Sequence, residues 1–252
     1  MLYQNLNYQI VKGTINSATP FEKRIPFDFF DNWDFATGFY LDVNSGTVTN
    51  GYFGFETDND KTVKYLPIDF LKNNFSYLEK DKYFRDFFTL AKGRKAYLVF
   101  KGDSFANLEY SIVFRLENGA KKPVKTINYQ TERRTVLSSA TQLATEFLDI
   151  ELDHDFENCT GIALVIPNSA QYQFAEFDLT IMTNDRTIIL QPMKLKALGG
   201  QVGDLSNVAH DSRFFPIQLK AKGNKALLHF EKGYSNAYPN NMDIDIIFRL
   251  ER

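Results

Sequence analysis

The run Ile246-Ile247-Phe248-Arg249-Leu250-Glu251 near the end of this chain has an earlier copy, Ile112-Val113-Phe114-Arg115-Leu116-Glu117. Upstream of each copy lies a second matched pair, Lys92-Gly93-Arg94-Lys95-Ala96 and Lys222-Gly223-Asn224-Lys225-Ala226. Further back, Asn59-Asp60-Lys61-Thr62 matches Asn184-Asp185-Arg186-Thr187, each followed by a proline, Pro67 or Pro192. Thr37-Gly38 with Leu41 and Val43 matches Thr160-Gly161 with Leu164 and Ile166. The matches are collinear, and their offset widens steadily as loops lengthen in the second half. Collinear repeats of this length are the mark of a tandem duplication, so the chain folds as two similar units rather than one large one.

Each copy spans about 110 residues, enough for a β-sandwich or barrel with its own core. The 24 Phe and 13 Tyr, against one Trp, favour a pleated, half-buried surface and hence sheet. A net charge of −2 gives no reason to expect a nucleic-acid surface or an acidic membrane as partner. Cys159 is the only cysteine, which excludes an intramolecular disulfide framework. Met1-Leu2-Tyr3-Gln4-Asn5-Leu6 lacks the basic and apolar regions of a signal peptide, and no apolar run reaches the roughly 18 residues that span a bilayer.

Period-two alternation marks the strands. Ile25-Pro26-Phe27-Asp28-Phe29 and Leu148-Asp149-Ile150-Glu151-Leu152 each give one buried and one wet face. Strands follow at Phe39–Val43 and Ile162–Ile166, then at Tyr52–Phe55 and Phe177–Met182. They return at Thr62–Leu66 and Thr187–Leu190 through Asn-Asp turns that tolerate left-handed backbone. In the first copy a helix is predicted at about Tyr77 to Phe87, because Ser76 and Glu79 form a capping box. The matching stretch of the second copy, Gly199 to Asp211, reads as loop. Each copy then closes with three strands, their middle turns carrying Gly93 and Gly223 for positive φ. Seven or eight short antiparallel strands per copy predict an all-β chain of two tandem jelly-roll or β-sandwich domains, with one short helix in the first. The expected boundaries are an N-terminal arm at 1–23, a first domain at 24–118, a linker at 119–145 and a second domain at 146–252.

No Walker loop, dinucleotide-binding glycine pattern, zinc knuckle or catalytic triad motif is present. His154, His210 and His229 fall in different segments without metal-ligand spacing, and Cys159 reads as a small buried apolar residue. No catalytic residue and no cofactor is expected. Alternation places Asp149, Glu151, Asp153 and Asp155 on one strand face. There they form a solvated row, a calcium site, or one half of a salt-bridged interface with Arg133-Arg134 and Lys121-Lys122-Lys125.

With its duplication, its all-β alternation and the segment at 1–23, the chain resembles the double jelly-roll major capsid proteins of tailless icosahedral viruses. Among these it is most similar to the short versions from bacterial viruses with an internal membrane. The resemblance is one of architecture and carries no functional residue over. It implies a virion structural protein assembled in the host cytoplasm, a homotrimer whose six barrels mimic a hexagon and tile a capsid lattice. It also implies other virion proteins as partners, with the inner membrane met through the arm or the linker, and no sequence-specific nucleic acid. Leu2, Tyr3, Lys121, Lys122, Arg133 and Arg134 are then the candidate contact residues. An accessory spike, tail or decoration protein, a carbohydrate-binding tandem sandwich and an enzyme on a jelly-roll scaffold are the alternatives.

Overall fold

The structure is a computed structural model that describes residues 6–57, 60–71, 84–120, 127–136, 145–166, 177–195, 213–231 and 242–252. The described residues divide into two compact units between Asn128 and Tyr129. The first holds β1 (Leu6–Ser17), β2 (Phe21–Asp28), β3 (Phe35–Thr49), β4 (Tyr52–Thr57), β5 (Asp60–Pro67), the short helix α1 (Ile68–Leu71), β6 (Arg85–Leu90), β7 (Lys95–Gly102) and β8 (Ser104–Glu117). The second is built from β9 (Ile127–Val136), β10 (Thr145–Glu151), β11 (Asn158–Val165), β12 (Asp178–Met182), β13 (Ile188–Lys194), β14 (Phe215–Lys220), β15 (Lys225–Glu231) and β16 (Met242–Glu251).

Each unit is a jelly roll. In the first, one sheet runs β1-β8-β3-β6 and the other β2-β7-β4-β5. The pairs 1:8, 2:7, 3:6 and 4:5 are those of one long antiparallel ribbon, rolled so that its two halves become two facing sheets. The second unit repeats the order with β9-β16-β11-β14 and β10-β15-β12-β13. The predicted all-β fold and its duplication are thus present strand for strand.

The alternating runs place their apolar sets inward. Ile112, Phe114 and Leu116 of β8 are fully buried, as are Ile246, Phe248 and Leu250 of β16. The two cores differ in chemistry. In the first unit the sheets meet through phenylalanine: Phe114 lies 5.1 Å from Phe27, 5.3 Å from Phe29 and 5.2 Å from Phe55 between ring centroids. In the second unit the matching positions are Ile150, Leu152 and Ile181, part of a mainly aliphatic cluster around Phe248. Both middle turns are as expected, with positive φ at Gly93 and Gly223.

Four expectations are corrected. Residues 1–23 are not an arm where described, because β1 pairs along β8 from Leu6↔Glu117 to Ser17↔Phe105. The linker at 119–145 contains β9, an edge strand hydrogen-bonded to β16. The helix at 77–87 gives way at its end to β6, where Phe39↔Arg85 and Gly38↔Asp86 pair across to β3; residues 77–83 lie outside the described set, and the helix among the described residues is α1. In the 183–187 turn the left-handed residue is Arg186, at φ 63°, rather than the Asn-Asp pair. There Thr183 and Asp185 side chains bond each other and Thr187 N, fixing the turn one residue later. Asp58 and Asn59 of the matching turn, and the loop at 199–211, are outside the described residues.

Candidate functional site

The repeated sequence blocks meet in space. In the first unit, β3 shifts register between Ala36 and Gly38, a bulge opposite Arg115 of β8. Thr37 at that bulge donates through Oγ1 to Glu117 Oε1 at 2.7 Å, while Arg115 Nε donates to Thr37 Oγ1 at 3.0 Å. Arg115 Nη2 reaches both the Thr37 carbonyl (3.1 Å) and Asp86 of β6 (2.9 Å). A side chain at Gly38 would put Cβ 3.1 Å from the Arg85 carbonyl and 3.3 Å from Arg115 Nη2, so the guanidinium occupies space that only glycine leaves. The second unit repeats the bulge between Cys159 and Gly161. Thr160 Oγ1 donates to Glu251 Oε1 at 3.0 Å, with Arg249 3.7 Å from the same carboxylate. The Arg and Glu of the duplicated motif therefore lock a β-bulge on the outer sheet face while its Ile, Phe and Leu pack inside. A bulge re-aims the strand and increases its twist, and both rolls carry one at the matched place.

A fifth repeat becomes visible with the first strands in place. Leu6-Asn7-Tyr8-Gln9 of β1 matches Ile127-Asn128-Tyr129-Gln130 of β9. Gln9 Nε2 donates to Asp28 O at 2.8 Å and its Oε1 accepts from Phe30 N at 3.1 Å. Gln130 Nε2 donates to Glu151 O at 2.7 Å and its Oε1 accepts from Asp153 N at 2.9 Å. Each glutamine ties the first strand to the end of the second in its own roll. On the outer face beside each clamp, Tyr8 packs 5.7 Å from Phe84 and Tyr129 stacks 5.5 Å from Phe214.

The acidic row does not exist as a row. β10 ends at Glu151, and Asp153 and Asp155 belong to the turn that follows, where Asp155 N donates to Asp153 Oδ1 at 3.0 Å. Asp149 and Glu151 are exposed, and Glu151 pairs with Lys225 at 3.2 Å. Among the described residues no three His, Cys, Asp or Glu side chains come close enough to share a metal ion. Nor do the candidate arginines face those acids: Arg133 lies 3.9 Å from Asp245 and Arg134 3.0 Å from Glu132. Leu2, Tyr3, Lys121 and Lys122 lie outside the described residues.

The remaining reactive groups are absorbed by packing. Cys159 is fully buried in the second core, and burial pushes its thiol up to about 12. A thiol held neutral is a poor nucleophile. His154 Nδ1 accepts from Gly223 N at 3.2 Å, and His229 stacks on Phe147 at 4.2 Å; His210 is outside the described set. On the outer face of the β2-β7-β4-β5 sheet, burial and a hydrogen bond to Glu22 push the Tyr65 phenol up to about 12.

No family model matches the chain. No curated protein matches it either. Solved structures do. A chain in the atomic structure of Sulfolobus Turreted Icosahedral Virus matches over 98% of this chain and 90% of its own length, at 10% identity and a TM-score of 0.54. The crystal structure of the STIV MCP matches over 96% of both chains at 12% identity and a TM-score of 0.47. A peptide-N(4)-(N-acetyl-β-D-glucosaminyl) asparagine amidase covers 97% and 96% at 14% identity and a TM-score of 0.37. At these identities the likeness is one of fold, and only the first of the three rises above a TM-score of 0.5. The expected bacterial origin draws nothing from a Sulfolobus virus; what the chain shares with the matched chain is its fold.

Proposed function

We propose that this chain is a virion structural protein, the major capsid protein of an icosahedral virus. Three copies form a trimer, its six jelly rolls approximate a hexagon, and the hexagons tile the shell. The observation that carries the reading is the pair of complete rolls with identical strand order, matched along nearly its whole length by a chain from an icosahedral virus. Two like rolls in one chain let three chains present six near-equivalent sides, and closed symmetry then fixes the contacts. The duplicated Thr–Glu bond at the bulge and the glutamine clamp support this, since both rolls carry them at matched positions.

On this reading the chain carries out no catalytic step and takes no cofactor. Its partners are further copies of itself, other virion proteins and the inner membrane, with Leu2, Tyr3, Lys121 and Lys122 as contact residues flanking the first strands of the rolls. It assembles in the host cytoplasm and ends in the virion of a bacterial host. Size-exclusion chromatography with light scattering tests the proposal: a species of three times the 29.1 kDa chain is expected. A monomer at every salt and protein concentration overturns it.

A further inference from the structure

The chain contains two Asn-Gly pairs, Asn50-Gly51 and Asn118-Gly119. In such a pair the glycine's backbone nitrogen can attack the asparagine's side-chain amide carbon, because no Cβ shields the approach. The second pair follows directly on the repeated motif, just past the end of β8. Its polar atoms all meet one segment, residues 32–34. Asp34 N donates to Asn118 Oδ1 at 2.8 Å, and Gly119 N donates to Asp34 Oδ2 at 3.2 Å. Asn118 Nδ2 donates to Asn32 O at 3.2 Å. Asp34 is itself fixed, since its carbonyl accepts from Ala91 N at 2.9 Å. One residue therefore touches both reacting groups. Its N–H polarises the amide carbonyl, and its carboxylate sits on the proton of the attacking nitrogen, the parts of an oxyanion donor and a general base. At Gly119 φ is 68° and a Cβ would meet nothing within 4 Å, so no neighbour crowds the peptide that turns onto the side chain.

The tie to residues 32–34 does not by itself call for asparagine. In the second unit Arg252 stands at the place of Asn118, after the motif's glutamate. Arg252 Nε donates to Asp155 O at 2.8 Å, the carbonyl that matches Asn32 O. Ala221 N donates to Glu157 O at 2.8 Å, as Ala91 N does to Asp34 O. Arginine thus makes the same tie and cannot cyclise. At Asn50-Gly51 the nearby acid is placed differently: Asn50 Nδ2 donates to the Asp103 carboxylate, so the acid holds the leaving nitrogen instead of the attacking one.

We propose that Asn118-Gly119 is a self-modifying site, where the folded chain converts its own asparagine to aspartate or isoaspartate with Asp34 as the base. Gly119 N gives its proton to the Asp34 carboxylate and bonds to Asn118 Cγ. The Cγ–Nδ2 bond breaks, and ammonia leaves with that proton. Water then opens the succinimide at either carbonyl, so one water is taken up for each ammonia released. The product sets a second carboxylate beside that of Asp34 and loses the donor to Asn32 O. As isoaspartate it also lengthens the backbone between β8 and β9 by one carbon, in the connection that leads from the first unit to the second. The reaction is a single turnover of the chain on itself and is independent of the shell reading.

Peptide mass spectrometry of the full chain, held in neutral buffer, tests this by reading amide-to-acid conversion at each asparagine. In the folded chain conversion at Asn118 outruns that at Asn50, and in urea the two rates converge. Asp34→Asn keeps the backbone N–H and the side-chain shape but removes the base, so conversion at Asn118 slows about 100-fold while that at Asn50 is unchanged. Trp33 fluorescence checks that the variant is folded, and the comparison of folded with urea-unfolded wild type needs no variant. Equal rates at the two sites in the folded chain overturn the proposal, as does a folded Asp34→Asn variant that converts as fast as the wild type. Faster conversion at Asn118 in urea than in the fold also overturns it, and makes Asp34 a protecting clamp.

Discussion

Truncating Phe114 to alanine should destabilise the first roll more than the same change at Phe248 destabilises the second. Both rings are fully buried at matched positions of the duplicated motif. Removing a buried phenylalanine costs about 3–5 kcal/mol through lost transfer energy and the cavity left behind. That term is common to the two sites, but their surroundings differ. Phe27, Phe29 and Phe55 lie 5.1, 5.3 and 5.2 Å from Phe114, and each such pair adds about 0.5–1.5 kcal/mol beyond area. Phe39 and Phe87 are more distant neighbours at 6.4 and 6.2 Å; counting the three nearest pairs at the low end, because they share one ring, the surplus is about 1.5 kcal/mol. Phe248 forms no ring pair among the described residues; Ile150, Leu152 and Ile181 take those places. The chain carries a separate reporter in each unit, Trp33 in the first and Cys159 in the second. Urea titrations followed by tryptophan fluorescence and by thiol labelling therefore read the two rolls apart. With a denaturant slope of about 1.5 kcal/mol/M, Phe114→Ala lowers its midpoint about 1 M further than Phe248→Ala lowers its own. An equal or larger loss for Phe248→Ala refutes the aromatic surplus.

Three further outcomes follow from the geometry. Cys159 is neutral in the fold, its thiol raised from 9.0 to about 12 by burial. Its stabilising contribution is therefore complete below pH 9 and is lost as pH rises towards 12, at about 1.4 kcal/mol per pH unit; Cys159→Ala removes that part of the slope in urea midpoints measured across the range. Arg186 holds φ 63°, where a side chain is strained, so Arg186→Gly should raise the second unit's stability by up to about 1 kcal/mol by the same titration. Thr37→Val deletes the hydroxyl that links Arg115 to Glu117, and loses about 1–2 kcal/mol from the first unit in the fluorescence transition.

The duplication, the alternation and the Lys-Gly-x-Lys turns were legible because each is a local pattern that tertiary structure leaves alone. The first strands were not, although Leu-Asn-Tyr-Gln and Ile-Asn-Tyr-Gln stand in the sequence. On β1 the inward positions are Gln9, Val11, Gly13 and Ile15, while Leu6, Tyr8 and Ile10 point out. Gln9 is inside because it clamps Asp28 and Phe30, and Gly13 because the Tyr110 ring fills the space of a side chain. The hydrophobic pattern is therefore inverted, and the strand reads as a polar arm. The acidic row failed for a different reason. Alternation continues in sequence past Glu151, but Gln130 holds Asp153 N and a turn begins there. Arg115 and Arg249 alternate with the buried Phe and Leu of the repeated motif, yet their role needed the bulge at Thr37 and Thr160, which no periodicity reveals.

Electron microscopy of the purified protein tests the central claim most directly. Face-on class averages should show a six-lobed ring, made of three chains with two rolls each, and concentrated samples should pack these rings edge to edge. Two-lobed particles at every concentration, with no larger species, would contradict the account.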